Sequence, residues 1–363
     1  MFQIIQNPPA ISLQGLPLIY KLEADRDEPF FKALARVSAT NAYEAASRNQ
    51  NNIATFDLRD YFETLLKTSL VLDANHIHPD GCKTFTVRFY EYFGNPPSAQ
   101  NEISDTPAIC IGRVPDWKQL EFDMQNRTFE DYLNVSRLLS WFSLGQTKRV
   151  LPDQPELMYV LWPNATFQNI EVTVNFNDET TAPLSIEHMP VQPLTVASFP
   201  VGYQALGIGD VNPAKKVVSY EVTIADQTRT FLVDHKAYRQ HRYLIFRNSL
   251  GGFDTLACTG EADESTDVER KQSARVYDAE NPYRLRKSEF FNEHAELVKV
   301  NTGWLSPVEK NWLNDLLIST EVYEVRGNKL QPVLIKNKSI DRSWRIYEPG
   351  SIELEYERIN FVL

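Results

Sequence analysis

The sequence predicts a mainly β protein of several domains, built as β-sandwiches or small barrels with a few short helices and an α+β C-terminal part. Three observations predict it. Apolar residues recur at every second position in most patterned segments, which is the side-chain period of a half-buried strand. These segments are short and end in turn residues, which favours sandwiches or small barrels over a parallel, doubly wound sheet. At 363 residues the chain exceeds what one hydrophobic core ordinarily holds.

The elements follow in chain order. Residues 56–67, FDLRDYFETLLK, read as a short helix. Asp57 would cap it, Asp60 stands three residues on, and Phe56 with Tyr61 would form a hydrophobic staple. In TFTVRFYEYF (84–93), Phe85, Val87 and Phe89 point one way, against Thr84, Thr86, Arg88 and Tyr90. The polar stretch 99–105 follows GNPPS and reads as a loop. In IEVTVNFND (170–178), Ile170, Val172, Val174 and Phe176 make an apolar strand face. Residues 178–216 carry prolines, glycines and scattered apolar residues without a steady period, the pattern of a long irregular arm.

VVSYEVTIADQTRTFLVD (217–234) reads as a hairpin that turns near Asp226 and Gln227. A second hairpin is expected in YLIFRNSLGGFDTLACTG, with Ser249, Leu250, Gly251 and Gly252 as its corner, because glycine supplies the positive φ such a loop requires. The charged stretch 260–282 reads as a solvated link. In SPVEKNWLNDLLIS (306–319), Ser306 caps a helix, Pro307 takes its first position, and Glu309 completes a capping box. SIELEYERI (351–359) sets Ile352, Leu354 and Tyr356 against glutamates and reads as a charged edge strand. The division expected is an N-terminal β domain over 1–120, a middle β domain over 121–234 containing the arm, and an α+β domain over 235–363.

Composition narrows the function classes. The formal net charge is −11, which argues against nucleic-acid binding and against anionic membranes, since both need basic surfaces. The N-terminal residues lack a signal-peptide pattern, and no stretch approaches the ~20 apolar residues of a membrane span. The expectation is a chain made in the cytoplasm that stays soluble. Three cysteines, Cys82, Cys110 and Cys258, are an odd number without metal-site spacing, and read as free buried thiols.

Motifs for chemistry are sparse. His76 and His78 would share one face of a strand, but Pro79, Asp80 and Gly81 follow at once, so an exposed, non-ligating turn is expected. LGIGD (206–210) lacks the third glycine and the strand–helix frame of a dinucleotide site. No Gly-x-Ser-x-Gly elbow occurs. Asp263, Glu264, Asp267 and Glu269 lack the spacing of a calcium loop. Trp141 and Trp162 read as core or interface residues, and Asn164 sits in a coincidental glycosylation sequon. No catalytic residue, metal or cofactor is expected, and the expectation is a non-enzymatic role, although a spatial pair of carboxylates leaves no trace in sequence spacing.

Several blocks together resemble structural proteins of tailed bacteriophages and prophages of Bacteroidetes-type hosts, tail or baseplate components by that likeness. They are NPPAISLQGLPLIYKL, TFTVRFYEYFG, QPELMYVLWPNATFQNIEVTVNFNDET, RYLIFRNSLGGFDTLACTGEAD, VNTGWLSPVEKNWLNDLLISTEVYEV and QPVLIKNKS. The resemblance spans most of the chain, and its most specific parts are 243–260 and 300–339. It implies a virion component of β domains that forms or joins rings with copies of itself and other virion proteins. It supplies no catalytic residue. In that setting the 178–216 arm would reach a neighbour, anchored by Pro193, Phe199, Tyr203 and Leu206. Two alternatives stand beside it. One is a carbohydrate-binding receptor-recognition module touching a host glycan through exposed aromatics. The other is a tail-borne glycan hydrolase, which needs two carboxylates roughly 5–10 Å apart in a groove.

Overall fold

The structure is a computed structural model. It describes residues 2–24, 32–38, 42–46, 52–62, 65–93, 98–125, 128–142, 147–162, 166–224, 227–274, 287–327, 329–338 and 350–359. Asp226, Asn164 and the 275–282 part of the charged stretch lie outside them. The protein is mainly β, with multiple sheets and a few short helices. It divides into two compact units. Unit 1 is Met1–His235 with Arg247–Asp254, and unit 2 is Lys236–Phe246 with Thr255–Leu363.

Unit 1 begins with β1 (Gln3–Gln6), β2 (Ile11–Leu13), β3 (Ile19–Glu23), β4 (Lys32–Val37), β5 (Ala42–Ala46), β6 (Ile53–Asp57) and α1 (Arg59–Phe62). It continues through β7 (His76–His78), β8 (Cys82–Thr84), β9 (Val87–Phe93), β10 (Ser98–Asp105), β11 (Ala108–Cys110), α2 (Asp116–Gln125) and α3 (Phe129–Val135). Then come β12 (Thr147–Val150), β13 (Leu157–Trp162), β14 (Thr166–Phe176), β15 (Thr181–Val191), β16 (Thr195–Pro200), α4 (Ile208–Val211), β17 (Val217–Ile224) and β18 (Gln227–Val233).

Two apolar cores fill unit 1. One gathers Tyr20, Leu22, Phe56, Val87, Phe89 and Ile109 from the sheets β1-β3-β6 and β10-β9-β4-β5 and from β11, with Phe85 from the link between β8 and β9. The other lies between the sheets β12-β18-β17-β14-β15 and β13-β16-β7, and holds Trp162, Val172, Val174, Phe199, Tyr220, Val222 and Phe231. The alternation seen in the sequence drives this: Val172, Val174, Tyr220, Val222 and Phe231 all point inward. β13 departs from alternation, with all six positions buried, because apolar surface lies on both of its faces. The expected division after residue 120 falls inside unit 1, where β7 crosses from the first stretch of chain to pair with β16.

Unit 2 carries β19 (Arg242–Arg247) up to Phe246, β20 (Phe253–Cys258) from Thr255 on, β21 (Ala262–Ala274), β22 (Lys287–Asn301), α5 (Pro307–Trp312), α6 (Asn314–Ile318), β23 (Val322–Arg326), β24 (Lys329–Ile335) and β25 (Glu353–Arg358). The strands form one sheet in the order β20-β19-β23-β24-β25-β22-β21. This sheet curls. Flat, with strands ~4.8 Å apart, it would hold β19 and β21 roughly 24 Å from each other. Instead Arg242 on β19 reaches Glu264 on β21 at 2.6 Å. Ser306 and Glu309 form the expected capping box, and Trp312, Leu313 and Leu316 are buried, with the Trp312 ring 5.2 Å from that of Phe246.

Five local expectations need correction. Residues 99–105 belong to strand β10, because the hydrogen bonds offered by β9 override the polar composition. Residues 181–191 and 195–200 are strands β15 and β16, so 178–216 is not an irregular arm. Residues 262–274 form a strand rather than a solvated link, since β22 pairs along their whole length. β25 is an inner strand, flanked by β24 and β22. Cys82 and Cys110 are not free thiols. They face each other across antiparallel β8 and β11 and form a disulfide, which register between strands far apart in sequence made possible.

The Gly251–Gly252 corner is as expected. Gly251 has φ +86°, and its N–H donates to the Asn248 carbonyl at 3.0 Å. The Asn248 side chain accepts from the Gly252 N–H at 3.0 Å and donates to the Leu139 carbonyl at 2.8 Å. The Thr68 hydroxyl donates to the Gly251 carbonyl, and Arg247 donates to both oxygens of Thr68. Ser249 accepts from the Trp141 indole N–H at 2.6 Å. The corner's polar groups are spent on the protein itself, which makes it a seat rather than a ligand-cradling loop.

Candidate functional site

The four residues expected to anchor an arm fall on two sides of the surface. Phe199 is 3% exposed, on β16 with its ring 5.6 Å from that of Trp162. Tyr203 and Leu206 pack against the same core, and Gly209 lies under the Tyr203 ring. Pro193 is exposed. Phe199 therefore cannot anchor a neighbour: its apolar surface is already buried within its own unit. The structure brings Phe199, Tyr203 and Leu206 to one core, while Pro193 lies in the turn between β15 and β16.

The histidines give a second candidate. His78 is 2% exposed and its ring stacks on Tyr159, so the expected exposed turn is a buried strand end. Its Nε2 lies 3.0 Å from the Ser198 hydroxyl. A serine–histidine pair of this kind could serve nucleophilic catalysis if the histidine accepted the serine proton. The other nitrogen decides the matter. The Ser69 backbone N–H donates to His78 Nδ1 at 3.3 Å, which leaves the ring proton on Nε2 as a donor toward Ser198. That is the reverse of a general base's tautomer. Ser198 is fully buried as well. The pair cross-links β7 to β16.

A pH dependence follows from the same geometry. Burial, then the nearby His76 and Arg247, lower the His78 pKa from 6.5 to about 4. The unfolded chain therefore binds the extra proton first, and unit 1 loses stability as pH falls through the window from 6.5 to about 4. The loss should reach about 3 kcal/mol at ~1.4 kcal/mol per pKa unit. Thermal unfolding of the wild type and His78→Gln between pH 7 and 4 checks this. The variant should show a visibly flatter profile, and equal slopes would refute the assignment.

Carboxylates gather inside the curl of unit 2. Arg358, 4% exposed, donates through Nε to Glu324 at 2.7 Å, through Nη2 to Glu264 at 2.8 Å, and through Nη1 to Glu296 at 3.3 Å. Arg242 pairs with Glu324 and Glu264 from β19. Burial raises the Glu324 carboxyl, but the Arg358 hydrogen bond and charge more than reverse this and leave it below its ordinary value. The Arg358 hydrogen bond also lowers Glu264. A glycosidase acid needs a raised pKa, so this cluster lacks the chemistry of a catalytic pair. In unit 1 burial raises Glu156, yet Lys148 and Gln154 occupy its carboxylate in a closed contact. Burial pushes the Cys258 thiol up to about 12, which makes it inert at neutral pH.

Sequence reasoning passed over Arg358 and Glu324. The available signal was register: Arg358 continues the inward series Leu354, Tyr356, and Glu324 shares a face with Val322. A charge in an apolar register marks a buried ion pair. Trp141 and Trp162 are core residues, whereas Trp304 is 70% exposed. Among the described residues, no group of three or more His, Cys, Asp or Glu could hold a metal ion. No described helix is long and apolar enough to cross a membrane.

No protein-family model matches the chain. No curated protein matches it either. Among solved structures, it is similar to one described as structural insight into host cell surface retention of a 1.5-MDa bacterial ice-binding adhesin. The identity is 8% and the TM-score 0.20, covering 83% of this chain and 91% of that one, a likeness too low to carry an argument about fold or function.

Proposed function

We propose that the chain is a non-enzymatic structural component of a tailed-bacteriophage virion, a tail or baseplate assembly or adaptor protein that forms or joins rings. Its partners in this reading are copies of itself and other virion proteins, and it is made in the host cytoplasm. The block resemblance supports the class. One observation supports the assembly role. β21 and β22 pair with each other from Ala262↔Val300 out to Ala274↔Lys287, but β25 accompanies β22 only from Glu296 to Asn301. Among the described residues no other strand accompanies them beyond that point, and the two run on as a ribbon. An isolated two-stranded ribbon is marginal in water, and a neighbouring subunit would supply the missing third surface.

The register also supplies the test. Thr266 faces Glu296, so residues 267–295 can be replaced by Asn-Gly, which closes a two-residue hairpin without disturbing the rest of the sheet. Mass photometry and negative-stain microscopy should show rings or higher oligomers for the full chain and folded monomers for the variant. Normal assembly without the ribbon would reject its role, and a full chain that stays monomeric at all concentrations would reject self-assembly.

A second reading, a module that recognises a host glycan, is favoured by Trp304. The backbone around this exposed ring is tightly held: Asn301 accepts the Gly303 N–H at 2.8 Å, and Leu305 and Gly350 exchange both backbone hydrogen bonds. A rigid, exposed indole is a suitable platform for a sugar face. Retention on a glycan column that Trp304→Ala abolishes would support this reading over assembly.

A further inference from the structure

The disulfide has a position that suggests work beyond holding two strands. β8 is three residues long and lies at the edge of the sheet β2-β11-β8, while β11 is its central strand. Cys82 stands directly opposite Cys110, and their Cα atoms are 4.0 Å apart. The chain leaving Cys110 runs straight into the seat of the Gly251 corner. A Cβ on Gly251 would meet the Ile111 side chain at 2.5 Å, and one on Gly112 would meet the Leu250 backbone at 2.6 Å. The Arg113 N–H donates to the Ser249 carbonyl at 2.6 Å. On the other side, the Ile111 N–H donates to the carbonyl of Gly81, the residue before Cys82. The two cysteines and the seat are therefore joined in one continuous run of contacts within unit 1.

We propose that Cys82 and Cys110 form a redox-responsive staple, open as two thiols in a reducing cytoplasm and closed in an oxidising medium, and that closure tightens the seat of the Gly251 corner. The oxidant is a low-molecular-weight disulfide. The Cys82 thiolate attacks one sulfur of that disulfide and displaces one small thiolate. The Cys110 thiolate then attacks the Cys82 sulfur of the mixed disulfide and displaces the second. Two protein thiols are oxidised, and the external disulfide is reduced to two small thiols, with protons passing to solvent. The edge strand sets the order, because fraying of β8 uncovers Cys82 before the central Cys110. Cys258, buried in unit 2, takes no part.

The test uses the full chain incubated with oxidised glutathione or with dithiothreitol, then alkylated with iodoacetamide in denaturant and weighed. One alkylated cysteine is expected after oxidation and three after reduction. Hydrogen exchange should be about tenfold slower over 111–113 and 247–254 in the oxidised protein, and its melting temperature ~10 °C higher. Cys82→Ser should erase the difference between the two incubations. Three alkylated cysteines after both treatments would overturn the staple. One after both would overturn its reversibility. A disulfide that forms and leaves exchange at 247–254 unchanged would overturn the link to the corner.

Discussion

Gly252→Val is expected to destabilise unit 1 by roughly 4 kcal/mol and to lower the soluble yield. A Cβ at this position would lie 2.6 Å from the Leu139 carbonyl oxygen and 3.0 Å from the Tyr159 Cβ. The oxygen belongs to backbone that also accepts from Asn248, so it cannot retreat without breaking that bond. Overpacking costs about 1–3 kcal/mol, and stranding buried polar groups adds about 1–3 more. Urea unfolding followed by tryptophan fluorescence reads the change, since Trp141 donates to Ser249 in the same corner. Gly327→Ala is the control. Gly327, unlike Gly252, has positive φ, +59°, and nothing lies within 4 Å of its Cβ position, so its substitution carries only the backbone cost of about 1–2 kcal/mol. A Gly252→Val loss under 1 kcal/mol would mean that the packed corner contributes nothing. Wild-type folding of Gly252→Val with loss of one ligand would return the corner to the list of binding loops.

Arg358→Ala should cost unit 2 about 3–5 kcal/mol. The side chain is buried and serves three carboxylates on three other strands, β21, β22 and β23. Without it Glu324, 1% exposed, keeps only Arg242 as a charge partner among the described ion pairs. A buried carboxylate that loses its strongest partner either protonates or drives the sheet open. Arg358→Lys should recover little, because one ammonium cannot reproduce the forked contacts from Nε, Nη1 and Nη2. Thermal unfolding at pH 7 checks both variants. The wild type should also lose stability in acid, as Glu324 and Glu264, both held below their ordinary values, are protonated. A loss under 1 kcal/mol for Arg358→Ala would show that the cluster is incidental.

Much of the fold was legible before the structure. The 217–234 hairpin, the corner at Gly251 and Gly252, and the cap at Ser306 each depend on neighbours within a few residues, and each lies where the pattern placed it. The misreadings share one cause. β10, β15, β16 and β21 have polar or broken patterns, yet each becomes a strand because a partner strand offers a full ladder of hydrogen bonds. Phe199 failed as an anchor for a related reason. Phe199 is apolar within a proline-flanked stretch, and composition cannot say whether such a residue faces its own core or another molecule's.

The sequence by itself determined that this protein is mainly β, where its corners and capped helix lie, and which residues alternate inward. Those properties follow from φ preferences, local hydrogen bonds and a side-chain period of two. Only the tertiary structure decided that Cys82 meets Cys110, that His78 meets Ser198, and that five strands bring Arg242, Arg358 and three glutamates into one ion-pair cluster, buried at Arg358 and Glu324. Those meetings join residues 22 to 120 positions apart in the chain. They depend on strand order, register and curl, which are set when whole sheets pack and not by any local run of residues.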